Sequence, residues 1–160
     1  MKRGIMAFAL GSLMLTGCAS IGGQGSAAAP SGGMDQFRLE RLFENQAEKV
    51  DGGAGYLRTR VDDADVYLIS NPDTDRVQLI VGVPVHESVG VQHLVGMLNA
   101  NFHPGLDARY ALSDGVIFSI FVHRLTTLTE EDFVAGYRQA LDLAKRFDEV
   151  AHGIEIEGGQ

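Results

Sequence analysis

Cys18 is the only cysteine in 160 residues, so no internal disulfide can form and the core must hold by packing alone. Long apolar runs are also missing. The longest, residues 5–15, is interrupted only by Gly11 and Ser12 and falls well short of the roughly 20 residues that a bilayer span needs. Positive charge is scarce, with 13 Lys and Arg against 21 Asp and Glu, a formal charge of −8. An acidic chain repels phosphate backbones and anionic lipid heads, which argues against nucleic acid and against an electrostatic membrane patch.

Catalytic signatures are absent as well. No Gly-x-Ser-x-Gly elbow occurs, and no serine has a histidine partner by motif. Gly52-Gly53-Ala54-Gly55 lacks the later glycine of a dinucleotide fingerprint and precedes a strand, so it reads as a turn. Asp62, Asp63 and Asp65 lack the spacing and the distal glutamate of an EF-hand loop and read as a charged hairpin tip. The five histidines form no short ligand pair with Cys or Glu. His93 with Glu87 comes nearest to a metal site, but a solvated histidine on a helix's polar side is the simpler reading. His123 reads as a hydrogen-bonded residue at a strand end. No enzyme, cofactor or resident metal is expected; a hydrolase or metal enzyme with a scattered site is the weakest alternative.

What is present begins at the N-terminus. Lys2 and Arg3 precede the apolar run, which ends in Leu15-Thr16-Gly17-Cys18. This arrangement resembles a bacterial lipoprotein signal, with Leu15, Thr16 and Gly17 as peptidase recognition residues and Cys18 as the lipidation site. Small side chains let the extended backbone enter a peptidase, and the cysteine thiolate takes a diacylglycerol. Removal of residues 1–17 would move the formal charge from −8 to −10. Ala19, not Asp, follows the cysteine; in a Gram-negative cell the lipoprotein rule then implies the periplasmic face of the outer membrane. The anchor is expected to be lipid, with two or three chains for stable attachment.

Residues 19–33 carry no charge and are rich in Gly, Ser and Ala, a composition that cannot bury enough apolar area to order itself. At about 5–6 Å per root residue such a tether holds a domain roughly 20 Å from its anchor. The expected organisation is a signal peptide (1–17), a lipidated cysteine with a flexible tether (18–33), one domain (34–152) and a flexible tail (153–160).

Within the domain, three segments have helical spacing and five have strand signals. Asp35 is placed to cap a first helix with Leu39, Leu42, Phe43 and Val50 on one side, stopped by Gly52-Gly53. A second helix would carry Val91, Leu94, Val95, Leu98 and Phe102 on one face and stop at His103-Pro104-Gly105. Thr129 is placed to cap a third, with Glu130, Glu131 and Asp132 against the positive dipole end and an apolar stripe from Phe133 to Ala151. Strands are expected over residues 56–61, 66–70, 76–83, 109–112 and 116–123, the last two joined by an Asp114-Gly115 hairpin turn. Short joins make neighbours antiparallel. The expected class is α+β: a five-stranded antiparallel sheet with three helices in the order α-β-β-β-α-β-β-α.

The strands are apolar on both sides. Ile117 and Phe121 oppose Val116, Phe118, Ile120 and Val122; Tyr67 and Ile69 oppose Val66 and Leu68; Ile80 opposes Leu79 and Val81. A sheet wetted on one face should alternate apolar with polar. Either helices cover both faces, the reading the sequence favours slightly, or one face meets another protein. Tyr67, Ile69, Ile80, Ile117 and Phe121 are the candidate contact face.

This order of elements, with HLVGMLNAN in the second helix, ARYALSDGVIFSIFVHRL in the hairpin and LTEEDFVAGYRQALDLAKRFDEV in the third helix, resembles the YbjN family, described as bacterial sensory-transduction regulators. Those proteins look like the class I chaperones of type III secretion, which share the same order. The resemblance covers residues 37–150. It implies a non-enzymatic module that binds protein or peptide and often pairs with itself, with no catalytic residues to carry over. The secretion chaperones are cytoplasmic whereas this chain carries an export signal, so only the fold and the binding habit transfer. The leading expectation is a lipid-anchored protein- or peptide-binding module. The alternative is a self-associating structural envelope lipoprotein, a homodimer without a soluble ligand.

Overall fold

The computed structural model of the chain describes residues 34–85, 89–102 and 105–152. The signal segment, Cys18, the tether and the 153–160 tail lie outside the described residues, as do His86, Glu87, His103 and Pro104.

The Asp35 carboxylate accepts the Arg38 amide proton at 2.8 Å and opens α1 (Gln36–Glu44), whose Leu39 and Phe43 are buried. Gly52-Gly53 does not stop this helix. It lies in a short strand, β1 (Asp51–Gly53), paired with β2 (Tyr56–Val61). Gly52 adopts φ 126°, and a Cβ there would come within 2.2 Å of the Tyr56 carbonyl oxygen. The glycine thus permits a close hairpin that any side chain would block. Glu40 ties α1 to that hairpin, its Oε1 accepting the Gly55 amide proton at 2.7 Å.

Strand β3 (Ala64–Asn71) and strand β4 (Arg76–Gly82) follow, then α2 (Val91–Phe102), β5 (Ala108–Ser113), β6 (Val116–His123), α3 (Glu130–Lys145) and α4 (Phe147–His152). The sheet is antiparallel throughout with strand order β1-β2-β3-β4-β6-β5. The class is α+β, as expected, with six strands and four helices among the described residues in place of five and three. The added strand is the glycine-rich β1. The added helix arises because the third expected helix breaks at Arg146. That break turns the buried Phe147 ring edge-on to Tyr110, centroids 5.8 Å apart, and beside His93 at 6.1 Å.

Local signals near the ends of elements agree with the sequence. Asp114 and Gly115 take φ 50° and 80°, as a tight two-residue turn requires. Thr129 caps α3, its Oγ1 accepting the Asp132 amide proton at 3.1 Å. Over the sheet, α3 buries Phe133, Gly136, Tyr137, Ala140, Leu143 and Ala144. A Cβ at Gly136 would lie 2.7 Å from the Phe121 ring, so the bare backbone there sets how closely α3 approaches β6.

One side chain occupies the middle of the outer edge of β5. Asn101 of α2 accepts the Tyr110 amide proton at 2.6 Å and donates to the Tyr110 carbonyl at 3.1 Å. It thereby satisfies backbone groups that an edge strand otherwise offers to other chains.

Asp75, at φ 51° in the turn between β3 and β4, pins the segment after β6. Its carboxyl is held below the usual carboxylate range, chiefly by the Thr126 amide at 2.7 Å, with the Thr126 hydroxyl at 3.0 Å and Arg124 Nε at 3.1 Å assisting. A carboxyl that binds its proton more weakly when folded contributes stability above its unfolded pKa of about 3.9 and loses it as pH falls through the folded value. Asp75→Asn is therefore expected to lower the urea midpoint at neutral pH, and the gap to wild type should close in acid. A gap that stays constant with pH would show that the charge contributes nothing.

Candidate functional site

Burial alternates strictly along the central strands. Val66 and Leu68 of β3, Val77, Leu79 and Val81 of β4, and Ile117, Ser119 and Phe121 of β6 are all buried, and Phe121 meets Gly136 of α3. Their neighbours Tyr67, Ile69, Gln78, Ile80, Phe118 and Ile120 are half-buried, and Val122 is exposed. The described helices gather on the first side, so the helix cover of both faces that the sequence favours is not found among the described residues. The second side is an open, largely apolar face.

Cross-strand register organises that face. Asp51, Arg58, Tyr67, Ile80, Ile120 and Arg109 are successive direct partners across all six strands. At about 4.8 Å per strand the row spans about 24 Å. A second row joins Tyr56, Ile69, Gln78 and Val122. The Tyr56 and Tyr67 rings lie 6.2 Å apart, and the Arg58 guanidinium lies over Tyr67 at 5.5 Å.

Three of the five contact residues expected from sequence, Tyr67, Ile69 and Ile80, meet on this face. The other two do not. Ile117 is 1 % exposed and Phe121 3 % exposed, both on the helix side. Because both faces of β6 are apolar, its periodicity cannot say which set points inward. The hairpin can. A two-residue turn sets Ser113 opposite Val116 and hence Arg109 opposite Ile120, and because arginine is almost never fully buried unless paired, it marks the wet side. By that signal Phe118, Ile120 and Val122 belong with Ile80.

A second apolar surface lies on α2. Its buried positions are Gly96, Met97 and Ala100, small or slender residues facing α4 and β5. Much of the stripe expected to face the core points outward instead: Val91 is 74 % exposed, Leu98 71 % and Phe102 80 %. Leu106 just beyond is also exposed.

A cleft of about 400 Å³ at the C-terminal end of β6 is lined by Asp107, Arg109, His123 and Asp132 among others. There Asp132 accepts the Thr129 hydroxyl at 2.6 Å, which pulls its carboxyl below the usual range, and His123 Nδ1 sits 2.9 Å from the Arg124 carbonyl. Burial raises the Tyr110 and Tyr137 hydroxyls, keeping both protonated; Tyr110 donates to the Leu143 carbonyl at 2.6 Å. Among the described residues no cluster of three or more His, Cys, Asp or Glu is placed to hold a metal, and no helix is long and apolar enough to cross a membrane.

The architecture has solved counterparts. The ExsC–ExsE complex superposes with a TM-score of 0.58 at 17 % identity, over 74 % of this chain and 96 % of the other. The HopA1–SchA chaperone–effector complex gives 0.55 at 15 %, over 69 % and 90 %. The Yersinia pestis type III secretion chaperone SycH, in complex with a stable fragment of YscM2, gives 0.53 at 18 %, over 70 % and 98 %. The fold resembles that of type III secretion chaperones. At such identities the likeness establishes architecture alone. No family model matches the chain, and neither does any curated protein.

The two faces of β6 should respond differently to truncation. Phe121→Ala is expected to cost about 3–5 kcal/mol, as for a buried aromatic, and Ile120→Ala about 1 kcal/mol or less. Urea unfolding measures both, and equal costs would contradict the assigned faces.

Proposed function

We propose that this chain is a lipid-anchored, non-catalytic protein-binding module of the bacterial envelope whose open sheet face receives a protein or peptide partner. The observation that carries the reading is the face, bare of helices among the described residues, that bears Tyr67, Ile69, Ile80, Phe118 and Ile120. Covering such a face gains about 25 cal/mol per Å² of apolar area removed from water, with the aromatic rings adding contact geometry. Structures of similar architecture hold other proteins, and the YbjN-type resemblance of residues 37–150 points the same way. The Leu15-Thr16-Gly17-Cys18 signal supports attachment through Cys18; in a Gram-negative cell the site is the periplasmic face of the outer membrane.

Pairing with a second copy is the other reading, and the outward Val91, Leu98 and Phe102 of α2 favour it. Both surfaces can serve in one molecule, because α2 flanks the β5 edge, away from the open face.

A photo-cross-linking residue placed in cells at position 120, 98 or 138 separates these readings. Position 120 is expected to capture a different protein, position 98 to give an adduct of twice the chain's mass, and the exposed helix position 138 to give neither. Absence of any adduct from position 120 would remove the partner-binding face. In the same cells labelled palmitate is expected on wild type and not on Cys18→Ser; equal labelling would remove the anchor.

A further inference from the structure

The charge of the molecule is unevenly distributed. Helices α3 and α4 carry six carboxylates against Arg138 and Lys145, in keeping with the acidic whole. The open face reverses this. Its strand positions present Arg58, Arg60, Arg76 and Arg109 against Asp51 and Asp65.

Both of those aspartates are already engaged. Asp65 lies 3.0 Å from Arg58 and 3.9 Å from Arg60, and Asp51 lies 3.9 Å from Lys49. Arg76 and Arg109 make no ion pair with a described residue. Arg109 donates through its guanidinium Nη1 to the Leu106 and Ala108 carbonyls, the latter at 2.7 Å, and shares a cleft with Asp107 and Asp132 without an ion pair to either. It stands directly opposite Ile120, while Arg76 shares its face with Gln78 and Ile80, two and four positions along the same strand. Half-buried isoleucines are thus flanked by two guanidinium groups that make no ion pair with a described residue.

We propose that the partner of this face is an acidic apolar segment of another protein, with aliphatic or aromatic side chains over Ile80 and Ile120 and carboxylates reaching Arg76 and Arg109. The inference rests on the protein-binding reading and specifies its chemistry. Guanidinium groups pair with carboxylates through two parallel hydrogen bonds, which gives direction as well as attraction. A second copy offers this face little complement, because its own strand carboxylates, Asp51 and Asp65, are already paired. A lipid surface fits less well: the apolar side chains are half-buried in the sheet plane instead of projecting from an amphipathic helix.

The test is selection of a displayed library of random short peptides on the full-length chain in detergent, repeated with Arg76→Glu/Arg109→Glu. Wild type is expected to enrich peptides that combine Asp or Glu with aliphatic or aromatic residues. Their binding should weaken with salt and fall about tenfold or more on the double variant. Enrichment of neutral or basic peptides, undiminished binding to the double variant, or no enrichment overturns the acidic assignment. So does arginine-dependent sedimentation of the unlipidated Cys18→Ser chain with phosphatidylglycerol vesicles and no peptide enrichment. If position 120 still captures a protein in cells after such a failure, the binding face stands and only its charge preference is lost. If both fail, the face itself is lost.

Discussion

The bare backbone of Gly136 against the Phe121 ring settles the rest of the architecture. A side chain at 136 would enter the ring at 2.7 Å, so α3 can lie close on β6 only with this residue here. Once it does, Ile117, Ser119 and Phe121 are sealed under the helix. Side chains in a strand alternate between faces, so Phe118, Ile120 and Val122 have nowhere to go but the other side. The ladder then carries that choice through Ile80 and Tyr67 to Arg58. One helix–strand contact therefore decides which residues the molecule presents.

The edges of the sheet are treated in keeping with a face that is meant to stay open. Asn101 occupies the Tyr110 amide and carbonyl at one edge, and β1 at the other edge is only three residues long. Closing or shortening edges discourages indiscriminate strand addition. In the proposed function, recognition would fall to side chains on the sheet surface, where the central isoleucines and the flanking arginines would add chemical selectivity that backbone pairing lacks.

Local signals were readable from sequence. Asp35 and Thr129 cap helices, and Asp114-Gly115 turns a hairpin, because each depends on a few neighbouring residues. Features governed by distant contacts were not. The helical periodicity runs through Arg146, yet the chain breaks there so that Phe147 can reach Tyr110 and His93. Strand β1 has no apolar pattern to announce it, and α2 turns Val91, Leu98 and Phe102 outward while Gly96, Met97 and Ala100 face inward. Along β6 both faces are apolar, so periodicity was silent and the Arg109–Ile120 pairing was the informative sign. For the same reason the expected contact residues of β3 and β4 share one face, whereas Ile117 and Phe121 of β6 lie on the other.

Thiol accessibility along β6 tests this assignment most directly. Single cysteines would replace Ile117 through Val122 in turn, in a Cys18→Ser background, and their reaction rates with a water-soluble maleimide would be measured under native conditions. The account predicts a period of two, with positions 118, 120 and 122 reactive and 117, 119 and 121 protected. Protection at all six positions would mean that the second face is covered too, and reactivity at 117 and 121 would mean that the sheet faces the other way.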